Sequence, residues 1–168
     1  MNQKSEQYWV NHLELSPHPE GGFFKSVSQP AEMYEVKEGL ERPLYTSIYF
    51  LLNKESPSHF HRLKSDEVWY FHAGDSLTIH MLYPDGRYDQ VNLGDTLENN
   101  ETLQFTVPKG VIFGSSVEGH GSYSLVSCMV SPGFDSEDFE LFTQAELFKV
   151  YPQHESVIKK LAFETLPD

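Results

Sequence analysis

Short hydrophobic runs separated by turn-forming residues follow one another through most of the chain. Alternation of apolar and polar positions at a period of two is typical of half-buried strands. Pro84-Asp85-Gly86, between two of these runs, has the composition of a hairpin turn. The pattern predicts strands at Phe23–Ser28, Leu44–Leu52, Ser58–Leu63, Glu67–His72, Ser76–Tyr83, Arg87–Asn92, Leu103–Val107, Val111–Ser116 and Ser122–Val130. Short strands at this spacing, with no helical pattern between them, indicate an all-β antiparallel sandwich or barrel.

Both ends of the chain have helical patterns instead. Ser5–Leu15 begins with a capping serine and is followed by prolines that prevent its continuation. Thr143–Glu146 has the capping-box pattern, and His154–Phe163 has apolar residues at helical spacing. We expect short helices at both ends, packed outside the barrel. The polar segment Gln29–Glu41 is compatible with a loop or a lid.

Composition narrows the class of protein. A length of 168 residues fits one domain, with a barrel core at about 20–140 and a helical extension at 141–168. The formal net charge of −13 argues against nucleic acid and anionic membrane surfaces as partners, because both require a basic surface. Cys128 is the only cysteine, so no intrachain disulfide forms. The polar, acidic N-terminal segment is unlike a signal peptide, and we expect a cytoplasmic protein.

The candidate metal-binding and proton-transferring residues lie in the segment from Ser58 to Gly74. His59 and His61 lie two residues apart in a predicted strand, so a regular strand would project both to one face. Glu67 can return to them from the next strand. A histidine pair with a carboxylate can bind a metal ion or transfer a proton.

These residues resemble the cupin superfamily, a group of jelly-roll β-barrels. The first cupin motif corresponds to His59, His61, Glu67 and Gly74, with one more residue than usual between His61 and Glu67. Pro108-Lys109-Gly110 corresponds to the second motif, but Phe113 occupies the position of its histidine. Further segments resemble the cupin family known as DUF985: His18-Pro19-Glu20-Gly21-Gly22-Phe23-Phe24, residues 45–52, Asp66-Glu67-Val68-Trp69, Val107-Pro108-Lys109-Gly110 and Ser131-Pro132-Gly133-Phe134. The resemblance implies an RmlC-like jelly roll and a homodimer.

Three readings of the histidine–carboxylate set remain open. A divalent metal (Zn, Mn, Fe or Ni) would have His59, His61 and Glu67 as ligands, although Phe113 removes the fourth, and no metal is favoured. Without metal, His61 with Glu67 or Asp66 would be a proton-transferring pair. In the sugar epimerases that the fold resembles, a tyrosine returns the proton, and Tyr49 or Tyr45 is the candidate. The third reading is a buried hydrogen-bonded pair or a ligand contact without turnover.

The expected pocket has further candidate lining residues. Trp69 and Phe71 alternate with Glu67, and aromatic walls are typical of small-molecule sites, although plain core packing explains either ring equally simply. Phe105 and Phe113 are candidates for the same lining. Glu20 and Lys25, beside the double glycine of the His18–Gly22 segment, can reach the barrel mouth or form an exposed turn.

The sequence therefore predicts a cupin that binds a small molecule. As an enzyme it would be an isomerase or epimerase acting, without metal, on a carbohydrate-like or nucleotide-sugar metabolite. The alternatives are a non-catalytic module that binds or senses a metabolite, and a metal-dependent oxygenase or isomerase. The substrate cannot be deduced from the sequence.

Overall fold

The structure, a computed structural model, describes residues 3–118, 120 and 122–168. Within these residues the chain forms short antiparallel strands flanked by short helices. The elements are α1 Glu6–His12, β1 Ser16–Pro17, β2 Phe23–Ser28, β3 Met33–Lys37, β4 Leu40–Pro43, β5 Thr46–Asn53, β6 Ser58–Arg62, β7 Asp66–Gly74, β8 Leu77–Leu82, β9 Tyr88–Leu93, β10 Gln104–Val107, β11 Ile112–Val117, β12 Tyr123–Ser131, β13 Glu140–Leu141, α2 Gln144–Val150 and α3 Glu155–Leu161.

Two sheets face each other across the main core. One has the strand order β1-β2-β5-β12-β7-β10, and the other has the order β13-β6-β11-β8-β9. Paired neighbours run antiparallel, as the predicted jelly roll requires. Between the sheets lie large buried side chains that include Phe50, Trp69, Ile79 and Phe113.

Helices cover the outer face of each sheet. The segment of α1 packs on Leu51 and Tyr123 of the first sheet. Helices α2 and α3 pack on Phe60 and Leu82 of the second. A sheet that is covered on both faces buries consecutive residues, which explains the unbroken apolar runs in several strands. The expectation of terminal helices outside a β-barrel is confirmed.

Two of the differences between the predicted elements and the structure concern the ends of helix α1 and the segment Gln29–Glu41. The first helix is capped by Ser5, as predicted, but its last helical residue is His12 rather than Leu15. The segment Gln29–Glu41, compatible with a loop or a lid, contains β3 and the start of β4, which form a separate hairpin. All five residues of β3 are exposed, so the strand has no core-facing pattern from which it could have been predicted. Among the described residues, no helix has the length and apolar character needed to cross a membrane.

Candidate functional site

A cavity of about 200 Å³ lies between the two sheets. Its polar interior, which we call the floor, is formed by Glu20, His61 and Glu67. His61 belongs to β6 and Glu67 to β7, so the two side chains come from facing sheets. Each of the three is at most 7% exposed, and buried ionisable groups of this kind have strongly shifted pKa values.

The double-glycine segment puts Glu20 into the cavity. The turn closes through a hydrogen bond from the His18 N–H to the Gly22 carbonyl at 2.9 Å. The Glu20 carbonyl then accepts from the His59 N–H at 2.7 Å, which fixes the turn to the start of β6. Gly21 has a φ of +106°, and a Cβ there would lie 1.9 Å from the Pro57 carbonyl oxygen. Only glycine tolerates both conditions.

A β-bulge in β6 decides which of its side chains enter the cavity. The pairing with β11 shifts register between Phe113 and Ser115, so β6 has one extra residue there. Gly114 permits the close approach, since a Cβ at this position would lie 2.8 Å from the Ser58 carbonyl oxygen. As a result Ser58 and His61 both point to Glu20, whose Oε1 accepts from the Ser58 hydroxyl at 3.1 Å.

The expectation that His59 and His61 project to one face is wrong, because it assumed a regular strand. The bulge turns the His59 ring away from the cavity. The ring stacks on Phe163 with centroids 3.7 Å apart, and its Nδ1 donates to the Glu20 carbonyl at 2.7 Å. His59 therefore supports the Glu20 backbone and does not line the cavity.

His61 and Glu20 form a buried pair in close contact, and one contact of the His61 ring defines its tautomer. The His61 Nδ1 lies 2.7 Å from the His59 carbonyl, which can only accept, so Nδ1 carries a hydrogen. The His61 Nε2 lies 3.1 Å from the Glu20 Oε2. Burial lowers the pKa of His61 to about 3. Burial and the nearby Glu67 carboxyl raise the pKa of Glu20 well above its usual range. Burial therefore favours a protonated Glu20 carboxyl beside a neutral imidazole ring.

Glu67, the third residue of the floor, differs from Glu20 and His61 in its pKa and in its hydrogen-bond partner. Burial raises the pKa of its carboxyl to about 7, and a hydrogen bond from the Cys128 thiol partly offsets this rise. Burial, followed by the Glu67 carboxyl, raises the pKa of the thiol, so Cys128 is a hydrogen-bond donor rather than a nucleophile. A carboxyl with a pKa near 7 is well suited to general acid–base chemistry at neutral pH.

The rest of the cavity changes from apolar to polar toward solvent. His18 lines it beside the Phe24 ring, with centroids 4.7 Å apart, and burial lowers the pKa of this histidine to about 4. The apolar wall consists of Phe24, Ile48, Leu63, Val130 and Phe134. At the open end lies a set of uncharged polar side chains, which we call the rim: Ser26, Ser28, Gln29, Thr46 and Ser47.

The aromatic residues predicted to line the pocket lie elsewhere. Trp69 and Phe113 are buried in the main core, and Phe71 and Phe105 pack against it. None of the four is among the lining residues of the cavity. Phe113 still contacts the site from behind, because its ring centroid is 4.2 Å from that of His61. The structure thus places all four in a packing role, which the sequence also allowed for Trp69 and Phe71.

Tyr49 and Lys25 are paired across β5 and β2 and lie on the outer face of their sheet. Tyr49 packs in the cluster around Leu51 below α1, and Lys25 forms an ion pair with Glu14. The structure therefore does not bring the predicted tyrosine and lysine to the cavity. The alternation of strand residues predicts two faces but not which one is internal, and both faces of this sheet are covered.

The arrangement does not fit the three-ligand metal hypothesis. His59 is turned away, the Nε2 of His61 is bound to Glu20, and the Phe113 ring occupies the space beside it. In the part of the chain that the structure describes, no group of three His, Cys, Asp or Glu side chains has the arrangement of a metal site. The residues present on the floor therefore suit hydrogen bonding and proton transfer better than metal coordination.

Several lining residues gave little or no signal in the sequence. Cys128 is buried, and it lines the cavity and contacts Glu67. The pairing of Val130 with Glu67 across β12 and β7 would have revealed this, since Cys128 lies two residues before Val130 on the same face. The serines of the rim have no such signal, because serine is common on any exposed strand.

Comparison with known proteins identifies the family. Residues 7–142 match the family model described as Cupin superfamily (DUF985). The chain is 31% identical over 148 residues to the uncharacterised protein YML079W of Saccharomyces cerevisiae, covering 80% of this chain and 73% of that protein. The chain therefore belongs to the DUF985 family of cupins, which confirms the resemblance deduced from its motifs.

Solved structures agree with this assignment. A hypothetical protein from Leishmania major is 50% identical with a TM-score of 0.90, covering 96% of this chain and 100% of its own. Protein SO0799 from Shewanella oneidensis is 47% identical with a TM-score of 0.89, covering 98% and 100% respectively. Oxalate decarboxylase from Bacillus subtilis, at 16% identity and a TM-score of 0.55 over 92% of this chain and 40% of its own, shares the fold alone.

Proposed function

We propose that this cupin binds a small carbonyl-containing metabolite and transfers protons within it, as a metal-independent isomerase or epimerase. The observation that carries the proposal is the buried contact of 3.1 Å between the His61 Nε2 and the Glu20 Oε2, in a cavity that also contains Glu67. Two acid–base groups of different proton affinity thus line one small cavity. Such divergence in the environments of neighbouring titratable groups is the usual basis of acid and base roles.

The proposed reaction has a simple proton balance. Glu67, as the carboxylate, removes a proton from the carbon next to the carbonyl, and the C–H electron pair forms a carbon–carbon double bond. The carbonyl π pair moves to oxygen, which takes the proton shared by Glu20 and His61. The resulting enediol collapses when one of its two carbons regains a proton from Glu67. The hydroxyl on the other carbon then returns its proton to the Glu20–His61 pair, and the carbon–carbon π pair is replaced by a new carbonyl group. No oxidant or reductant is needed.

The Glu20–His61 pair takes the role that the sequence suggested for Tyr49. The tyrosine lies behind the sheet, whereas the pair lines the cavity together with Glu67. The hydrogen bond from the His61 Nδ1 to the His59 carbonyl and the contact of the His61 Nε2 with Glu20 orient the ring before any ligand enters. Preorganised donors of this kind stabilise charge that develops on a carbonyl oxygen.

His61→Gln is expected to lower solvent-deuterium incorporation into a bound carbonyl sugar by about 10²-fold, within the range typical of a lost acid–base group. Glutamine keeps a polar contact to Glu20 but cannot hold the proton between the two side chains. The measurement is proton NMR of the ligand after incubation with the protein in deuterium oxide. His72→Gln, at an exposed histidine outside the cavity, is the matched control and should retain the wild-type rate.

A protein that only binds or senses its ligand gives a different result. In that case the wild-type protein binds the sugar, and no deuterium enters any ligand. That outcome would contradict the enzymatic proposal and leave the binding module as the function of the same cavity.

We also propose that the chain forms a homodimer through the β3–β4 hairpin. Met33, Tyr34 and Val36 are each between 45% and 49% exposed, although an isolated two-stranded hairpin has little stability of its own. Among the described residues no strand pairs with Lys25–Ser28 on the edge of β2 opposite β5, because β1 pairs only with the first two residues of β2. Exposed apolar side chains beside an open strand edge favour a second copy of the chain as the occupant.

Replacement of both Tyr34 and Val36 by glutamate is expected to convert the dimer into a monomer, because each change places a charge in the proposed interface. Sedimentation equilibrium at micromolar concentration measures the mass. Leu97→Glu, at an apolar residue that is 58% exposed outside the hairpin, should leave the dimer intact. A monomeric wild-type protein, or a double variant of unchanged mass, would contradict the proposal.

A further inference from the structure

The rim of the cavity presents uncharged hydrogen-bonding groups to an entering ligand. Its members are the five polar side chains on β2, β5 and the segment after β2 that were defined above. The Thr46 hydroxyl oxygen already accepts from the Phe134 N–H at 2.9 Å, so its own hydrogen is directed to another acceptor. Hydroxyl groups both donate and accept, and they match the hydroxyl groups of a polyhydroxylated ligand.

The basic side chains near the cavity form ion pairs with acidic side chains that do not line it. Lys25 pairs with Glu14 on the outer face, and Arg62 pairs with Glu140 at 2.6 Å. Arg42 and Lys64 both pair with Asp138, at 2.8 and 3.7 Å. The described lining residues include two glutamates and neither lysine nor arginine. An anionic ligand would therefore meet carboxyl groups without a counter-charge.

This charge distribution disfavours phosphorylated compounds in particular. Phosphate groups in proteins are normally bound by arginine, lysine or the N-terminus of a helix. Here a phosphate on the floor would lie beside Glu67 and would make ionisation of that carboxyl more costly. An ammonium group would have the opposite effect, since it would hold Glu67 ionised as its counter-ion and remove it from proton transfer.

The volume of the cavity limits the size of the ligand. At about 200 Å³ it is smaller than the range of roughly 300–1,000 Å³ that drug-sized ligands occupy. A free monosaccharide fills such a space, whereas a nucleotide-linked sugar exceeds it and would leave the nucleotide outside the rim.

We propose that the ligand is an uncharged polyhydroxy carbonyl compound of about three to six carbons, without phosphate, carboxylate or nucleotide. Its hydroxyl groups contact the rim, its carbon skeleton packs on the apolar wall, and its carbonyl end reaches the floor. The carbonyl group rests on the proposed function, whereas size and charge rest on the cavity alone. The proposal narrows the metabolites suggested by the sequence and removes nucleotide sugars from them.

The test uses matched pairs of probes with the full-length protein. Dihydroxyacetone is compared with its phosphate, fructose with fructose 6-phosphate, and glucose with both glucosamine and UDP-glucose. Saturation-transfer NMR measures binding, and deuterium incorporation measures turnover. We expect the uncharged member to bind at least tenfold more tightly than its phosphorylated or nucleotide-linked partner. We expect glucosamine to bind without deuterium incorporation, because its ammonium group holds Glu67 ionised. Ser28→Lys, which adds an ammonium group at the exposed rim, should increase affinity for the phosphorylated members at least tenfold.

The outcomes separate this inference from the proposed function. Tighter binding of a phosphate or of UDP-glucose, deuterium incorporation into glucosamine, or no binding of any uncharged probe overturns the ligand class. Deuterium incorporation into a phosphorylated probe alone supports proton transfer and also overturns the ligand class. Binding of uncharged sugars without deuterium incorporation supports the ligand class and contradicts the proposed reaction.

Discussion

Glu67→Gln is expected to reduce solvent-deuterium incorporation into a bound carbonyl sugar by about 10³- to 10⁴-fold, toward the upper end of what a lost general base costs. In the proposed reaction Glu67 removes the proton from carbon, and glutamine cannot accept it. The amide keeps the shape of the carboxyl and can still accept the hydrogen bond of the Cys128 thiol, so the cavity should survive. Wild-type exchange should increase with pH and level off above about pH 7, because the pKa of Glu67 is raised to about 7.

The same substitution should change the pH dependence of stability in a defined direction. The pKa of Glu67 is about 7 in the folded protein against an ordinary value of 4.5. Between these values the folded state keeps a proton that the unfolded state has lost, so folding binds protons. The stabilising contribution of Glu67 is therefore complete below pH 4.5 and is lost as the pH rises through 7. Its size is about 3 kcal/mol.

Urea unfolding at pH 5 and pH 8 measures this contribution as a difference. The free energy of unfolding of Glu67→Gln, relative to wild type, should increase by about 3 kcal/mol from pH 5 to pH 8. The buried histidines oppose this trend in absolute stability, since the pKa values of His18, His61 and His80 are lowered by burial. They are present in both proteins and cancel in the comparison.

Glu98→Gln, the same chemical change at an exposed position outside the cavity, is the control for both measurements. It should alter neither the exchange rate nor the pH dependence. Wild-type exchange that persists in Glu67→Gln would exclude Glu67 as the base. A stability difference that does not change between pH 5 and pH 8 would show that the carboxyl ionises as freely as in the unfolded chain.

Two of the three floor residues, His61 and Glu67, could be predicted from the sequence for sound physical reasons. His61 and Glu67 lie on adjoining predicted strands, and a closed sheet brings such residues to a common interior. The position of His59 could not be predicted, because a β-bulge reverses the alternation on which the prediction depended. The signal for this bulge is Gly114 on the neighbouring strand, which only the pairing of strands reveals.

The sequence could not predict that Tyr49 and Lys25 lie on the outer face of their sheet, for a different reason. Helix α1 covers the outer face of their sheet, so both faces bury apolar residues and the pattern has no polar side. The His18–Gly22 segment, in contrast, has a recognisable signal in the sequence. Two adjacent glycines next to an acid indicated an unusual backbone conformation beside Glu20. They did not indicate that Glu20 would be only 6% exposed and in contact with His61.

Gly21→Ala is expected to destabilise the protein by about 3 to 5 kcal/mol. Part of the cost is conformational, because the φ of +106° is unfavourable for any residue with a Cβ. The larger part is steric, since the new methyl group would lie 1.9 Å from the Pro57 carbonyl oxygen and 3.1 Å from the His59 Nδ1. Relief of this overlap requires the turn to move away from β6, which breaks the contacts of the Glu20 carbonyl with His59 and displaces the Glu20 side chain.

Gly39→Ala provides a control that isolates the conformational part. Gly39 also has a positive φ, +76°, but a Cβ there has no heavy atom within 4 Å. It should cost only about 1 to 2 kcal/mol and leave proton exchange unchanged. Chemical denaturation of both variants measures the difference. If Gly21→Ala were as stable as Gly39→Ala and retained exchange, the turn would be free to move without disturbing Glu20, and the preorganised Glu20–His61 pair could not be the source of the acid.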